Sequence, residues 1–71
     1  MPRPISVITR ERFVTAMRSA LPGAITRNGI RSVTGIHPRT LEKLLEEYMN
    51  RGLVERIGVK NNSEVFRWRG D

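Results

Sequence analysis

GIHPRTLEKLLEEYMNRGLVE, from Gly35 to Glu55, is the stretch whose reading decides the fold. Leu41, Leu44, Leu45, Tyr48 and Met49 recur at spacings of one, three and four, which gathers them on one face of a helix. Pro38 suits the first helical position, where its missing N–H costs nothing and its fixed φ is already helical. Gly35 precedes the run, most simply in a left-handed turn, and Gly52 terminates it. The spacing predicts a helix over residues 37–51. Its other face presents Arg39, Glu42, Lys43, Glu46, Glu47 and Asn50, with His37 and Thr40 near its start. Lys43 and Glu47, four apart, are expected to pair.

Upstream, Phe13, Val14, Met17, Ala20 and Leu21 fall on one helical face. Thr9 reads as the N-cap and Pro22-Gly23 as the stop, giving a helix over residues 9–21 after an extended lead-in, residues 1–8. Thr26 caps a second, short helix over residues 26–34, with Ile30 and Val33 as its buried contacts. Gly29 weakens that helix by about 1 kcal/mol relative to Ala, so packing must hold it. Downstream the period changes. LVERIGV and EVFRWR are rich in β-branched and aromatic residues and flank Lys60-Asn61-Asn62-Ser63, which predicts a two-stranded hairpin over residues 53–69. Glu64, Phe66 and Trp68 share one face, and Val65, Arg67 and Arg69 the other. Leu53, Ile57 and Val59 agree in parity while Val54 does not, and a bulge near Gly58 would reconcile them. The class is α+β: one domain, residues 1–71, of three helices and a hairpin.

The 71 residues allow one small core, so nearly every apolar side chain is needed in it. Net charge is +6, and 11 of the 13 basic residues are Arg. A small, Arg-rich domain of that charge suits a polyanionic partner. The charge is unevenly spread: residues 1–36 hold six Arg against one Glu, whereas residues 37–51 hold three basic and three acidic residues. There is no cysteine, which excludes disulfides and thiolate metal sites, and His37 stands alone, so no metal is expected. No catalytic constellation or phosphate-cradling glycine loop is present, and we expect neither an enzyme nor a cofactor. The N-terminal residues break their apolar character too often for a signal peptide or membrane span, which suggests a cytoplasmic protein with no membrane partner.

Thr26 as first cap, Ile30 and Val33 as buried positions, Gly35 as turn glycine, then Ile36, Thr40, Leu45, Tyr48 and the run Gly52-Leu53-Val54 together resemble the winged helix-turn-helix DNA-binding family. The resemblance runs from Thr26 to Val54, and its hairpin wing continues to Trp68. Length and layout are similar to small bacterial or phage transcriptional regulators. One departure is Arg31, where the family usually has a small Ala; its long side chain must keep the guanidinium in water. The resemblance implies a three-helix bundle with a helix-turn-helix and a hairpin wing, binding double-stranded DNA in a sequence-specific way.

On that reading the third helix enters the major groove by its N-terminal end. His37, Arg39, Thr40, Glu42 and Lys43 are then the base contacts, with Arg39 and Lys43 suited to guanine and Glu42 to cytosine. Phosphate contacts fall to Arg27, Asn28, Arg31 and Ser32 of the second helix, whose N-terminus is read as an anion site, and to Arg56, Lys60, Asn61, Asn62, Arg67 and Arg69 of the wing. If about five to eight of these neutralise phosphates, affinity falls by roughly three orders of magnitude or more between low and moderate salt. Arg3, Arg10 and Arg12 read equally well as solvated charges. Tyr48, Phe66 and Trp68 read as core, and the terminal Arg69-Gly70-Asp71 as chance. The expected state is a monomer, or a weak, cooperative dimer on DNA. The competing reading is a protein–protein module that presents the acidic face of the third helix to a basic partner.

Overall fold

The computed structural model describes residues 5–70. Pro2, Arg3 and Pro4 of the lead-in, and Asp71, lie outside the described residues. Three helices and a three-stranded antiparallel sheet follow in the order α1 (Val7–Ser19), β1 (Ile25–Thr26), α2 (Arg27–Thr34), α3 (Pro38–Asn50), β2 (Val54–Lys60) and β3 (Ser63–Trp68). The strands lie in the order β1-β3-β2. The sheet therefore has one strand more than the expected hairpin: Ile25 pairs with Phe66 and Thr26 with Val65.

Helix α1 starts two residues earlier than residue 9, at Val7. Ser6, not Thr9, is the N-cap; its Oγ accepts from the Thr9 N–H at 3.1 Å and lies 2.8 Å from the Thr9 hydroxyl. Val7 and Ile8 are thus helical rather than extended. The helix also ends early, with Ala20 as C-cap. Leu21 precedes Pro22, whose ring disfavours helical backbone at the residue before it, and its side chain is exposed. In α2, Thr26 caps as expected, accepting from the Gly29 N–H at 3.0 Å. Val33, however, is 68% exposed. The buried stripe of this short helix runs from Ile30 to Thr34, whose hydroxyl donates to the Ile30 carbonyl at 2.6 Å. Position 33 falls on the flank of that stripe.

Gly35 ends α2 at φ 70°. His37 caps α3, its Nδ1 accepting from the Arg39 N–H at 3.2 Å, and Pro38 takes the first helical position. At the far end Gly52 has φ 76°. Its N–H reaches the Met49 carbonyl at 3.0 Å and that of Leu53 reaches Tyr48 at 2.9 Å, which closes the helix and sends the chain straight into β2. Leu41, Leu44, Leu45 and Tyr48 are buried against Phe13, Met17, Ile30, Ile36, Val54, Phe66 and Trp68. Phe13 meets the Tyr48 ring edge-on, with centroids 5.0 Å apart, and Trp68 tilts against Tyr48 at 6.1 Å. Three of the chain's four aromatic rings are thus stacked through the core, and the fourth, Phe66, is 1% exposed.

The hairpin turns on Asn61 and Asn62, with φ 52° and 64°, between paired Lys60 and Ser63. Two successive positive φ values are what a two-residue connection between twisted strands requires, and Asn tolerates them better than most residues. The register slips between Arg56 and Gly58, which makes Ile57 the bulge residue. This corrects the parity expected for β2. Val54 faces the core, while Ile57 and Val59 are 50% and 68% exposed. The outer half of β2 is thus exposed along its length, whereas Ser63 opposite it in β3 is buried. Among the described residues no helix is long and apolar enough to cross a membrane.

Candidate nucleic-acid interface

The first turn of α2 is tied to the hairpin. Ser63, buried at the start of β3, accepts from the Asn28 N–H at 3.3 Å through its Oγ. Since Thr26 takes the Gly29 N–H, two amides at this helix start are already bonded within the chain. The expected anion site at the α2 N-terminus is therefore partly occupied by the protein itself. Asn28, Arg31 and Ser32 line an open groove of about 570 Å³ together with Gly35, Ile36, His37 and Pro38. Arg31 is exposed, so the departure from a small residue is accommodated by its reaching solvent. Arg27 is half-buried, and its Nε has no hydrogen-bond partner among the described residues.

His37 also lines a second, smaller cleft of about 200 Å³, which shares Gly35 and Ile36 with the α2 groove. Its other walls include Thr9 and Arg12 of α1, Thr34 and Thr40. The Nδ1 cap leaves the neutral ring's proton on Nε2, so His37 can cap α3 and still donate outward. Arg39, Glu42 and Lys43 are exposed on α3, whereas Thr40 is half-buried and lines the same cleft as Arg12. Lys60, Asn61 and Asn62 are exposed at the hairpin tip. The hairpin start, the α2 groove, His37 and the Arg12 cleft thus adjoin one another in sequence around one side of the molecule.

Ion pairing sorts the cations. Glu47 is held by Arg10, through two oxygens, and lies 3.8 Å from Arg51. The expected Lys43–Glu47 pair does not form, because Glu47 turns toward α1 rather than outward along α3. Arg56 lies 3.5 Å from Glu64, and Arg69 is bonded to Glu55. Arg67 and Arg69 flank Trp68 beside Leu21, at the base of the hairpin and away from its tip. By contrast Arg12, Arg31, Arg39, Lys43 and Lys60 are exposed and carry no carboxylate within ion-pair distance among the described residues. Neither the α2 groove nor the Arg12 cleft has an acidic residue in its walls.

The same pairing moves the titration of Glu47. The Arg10 hydrogen bond holds its carboxyl below the usual range, against a smaller opposing push from burial, with the Arg10 and Arg51 charges adding to the depression. Hydrogen bonding to Glu47 likewise raises the Arg10 guanidinium above its ordinary value. Of the three glutamates expected on the acidic face of α3, only Glu42 and Glu46 are left to solvent. No grouping of three or more potential metal ligands occurs among the described residues.

Arg12 is the residue that sequence reasoning did not place in this region. Its position depends on how α1 crosses the α2–α3 turn, and no local pattern encodes that crossing. No known family, curated protein or solved structure matches the chain.

Proposed function

We propose that the chain is a winged helix-turn-helix domain that binds double-stranded DNA in a sequence-specific way and acts as a transcriptional regulator. In this reading α2 and α3 are the helix pair, α3 enters the major groove, and the β2–β3 hairpin is the wing. The observation that carries it is the sorting of charge. Arg10, Arg51, Arg56 and Arg69 are paired with carboxylates, while Arg31, Arg39, Lys43 and Lys60 are left to solvent around the α2–α3 turn and the hairpin tip. Unpaired cations are the ones that can neutralise phosphates or reach guanine without first breaking an ion pair.

Arg39 and Lys43 serve as base readers in the first turns of α3, with His37 and Glu42 beside them. Arg27, Asn28, Arg31 and Ser32, with Lys60, Asn61 and Asn62, meet the backbone. Arg56 and Arg69 contribute less, because each is already paired. A mobility-shift titration on random duplex at two salt concentrations tests the reading. Salt-sensitive binding supports it, and a selection from random oligonucleotides then gives the preferred site. Absence of binding even at low salt would overturn it in favour of a protein-docking module using Glu42 and Glu46.

A further inference from the structure

The cleft on the α1 side of the turn has a composition that its surroundings lack. Arg12 is exposed and has no ion-pair partner among the described residues, although Glu11 is its neighbour in the chain. Glu11 is not among the cleft's walls: it lines a neighbouring groove with Ile8 and Val33, which Arg12 and Thr34 also border, and another with Val7 and Tyr48. The cleft itself offers the Arg12 guanidinium, the hydroxyls of Thr9, Thr34 and Thr40, and the His37 ring. Two of those hydroxyls are engaged locally, Thr9 with Ser6 and Thr34 with the Ile30 carbonyl. Arg12, Thr40 and the outward nitrogen of His37 remain as donors around about 200 Å³ of space. A cation with hydroxyl and imidazole donors and no facing carboxylate matches a phosphate oxyanion, which takes hydrogen bonds and repels acids.

We propose that Arg12, Thr40 and His37 form a phosphate-binding cleft that holds a backbone phosphate of duplex DNA on the α1 side of the recognition helix. The inference rests on the DNA-binding reading and adds a helix to the interface that the reading did not include. Because His37 lines both the α2 groove and this cleft, a backbone passing the turn meets Arg31 on one side and Arg12 on the other. The Thr40 hydroxyl and the His37 ring then serve the backbone and not base edges, which leaves base reading to Arg39, Glu42 and Lys43.

The test is duplex binding by fluorescence anisotropy over a salt series, for the full chain and for Arg12→Ala, Arg12→Lys and Arg18→Ala. Arg18 lies on the same helix outside the cleft, so Arg18→Ala removes equal charge without touching the proposed site. Arg12→Ala should weaken binding to every duplex and lower the log–log salt slope by about 0.9, the share of one phosphate contact. Arg12→Lys should keep the slope, and Arg18→Ala should change it by less than half as much. Wild-type binding with Arg12→Ala and Arg18→Ala indistinguishable would overturn the cleft and leave the DNA reading standing. A wild-type chain that binds no duplex at any salt would overturn both. Arg12 is exposed, so thermal melts of the two Arg12 variants should overlay that of the parent.

Discussion

Gly29 shows how a single position can look like a flaw until its neighbours are known. A Cβ built there would meet Ile25 Cγ1 at 3.0 Å and the capping Thr26 Oγ1 at 3.1 Å. Alanine would ordinarily add about 1 kcal/mol of helix propensity. Here the methyl would press on the cap and on the strand residue beneath it, so Gly29→Ala should bring no gain in a urea melt. A raised midpoint would mean that Ile25 yields at little cost. In the proposed complex Arg39 belongs to the same scale, since one side chain contacts one base pair. Arg39→Ala should cost about 1–3 kcal/mol on the preferred site and relax selectivity at a single base pair. Equal losses on preferred and random duplex, compared side by side, would exclude a reading role.

Between elements, Glu47 joins α3 to α1 through Arg10 and touches Arg51 one turn on. Its folded pKa is depressed, so its contribution is complete above the ordinary carboxylate value of about 4.3 and is lost as pH falls through the folded value. Glu47→Gln should therefore be less stable than the parent at neutral pH, and the gap in urea midpoint should narrow as pH falls below the ordinary carboxylate range. A gap that persists in acid would assign the effect to packing. Within the hairpin, Lys60→Ala should lower the salt slope of DNA binding by about 0.9, whereas Arg56→Ala, removing a cation already facing Glu64, should lower it by less than half as much. Equal losses in the two variants would deny that ion pairing decides which cations are free. These elements differ in how far their sequence announced them. The leucines of α3, Pro38, Gly35 and the Asn61-Asn62 turn act through local geometry, and each could be read along the chain. The two residues of β1 are too few for any periodicity, and they pair because the hairpin returns beside them. Ser6 and Thr9 are both able to cap, and only the packing of α1 decides between them. Val33 and Glu47 went the other way because a helix face is fixed by its neighbours, not by its own spacing.

At the scale of the whole molecule, the interface is a property of which cations remain unpaired. Counting Arg12, Arg27, Arg31 and Lys60 as the backbone contacts gives an expected salt slope of about −3 to −4. That is shallower than a count including Arg56, Arg67 and Arg69 would give, and a slope near zero in the salt series would remove the electrostatic basis of the proposal. None of this distribution was legible from the charge total of +6, because pairing depends on which strands and helices meet. The sheet order has a consequence of a different kind. With β3 in the middle, β2 keeps one flank of unpaired amides and carbonyls on an arm that also displays Ile57 and Val59. Such a flank is a template on which a neighbouring chain can polymerise. The kink at Ile57 interrupts that template halfway, and the charges of Arg56 and Lys60 stand guard at either side of it. The slipped register that spoils the strand's regularity thus also breaks the continuous edge on which a second chain would have to pair.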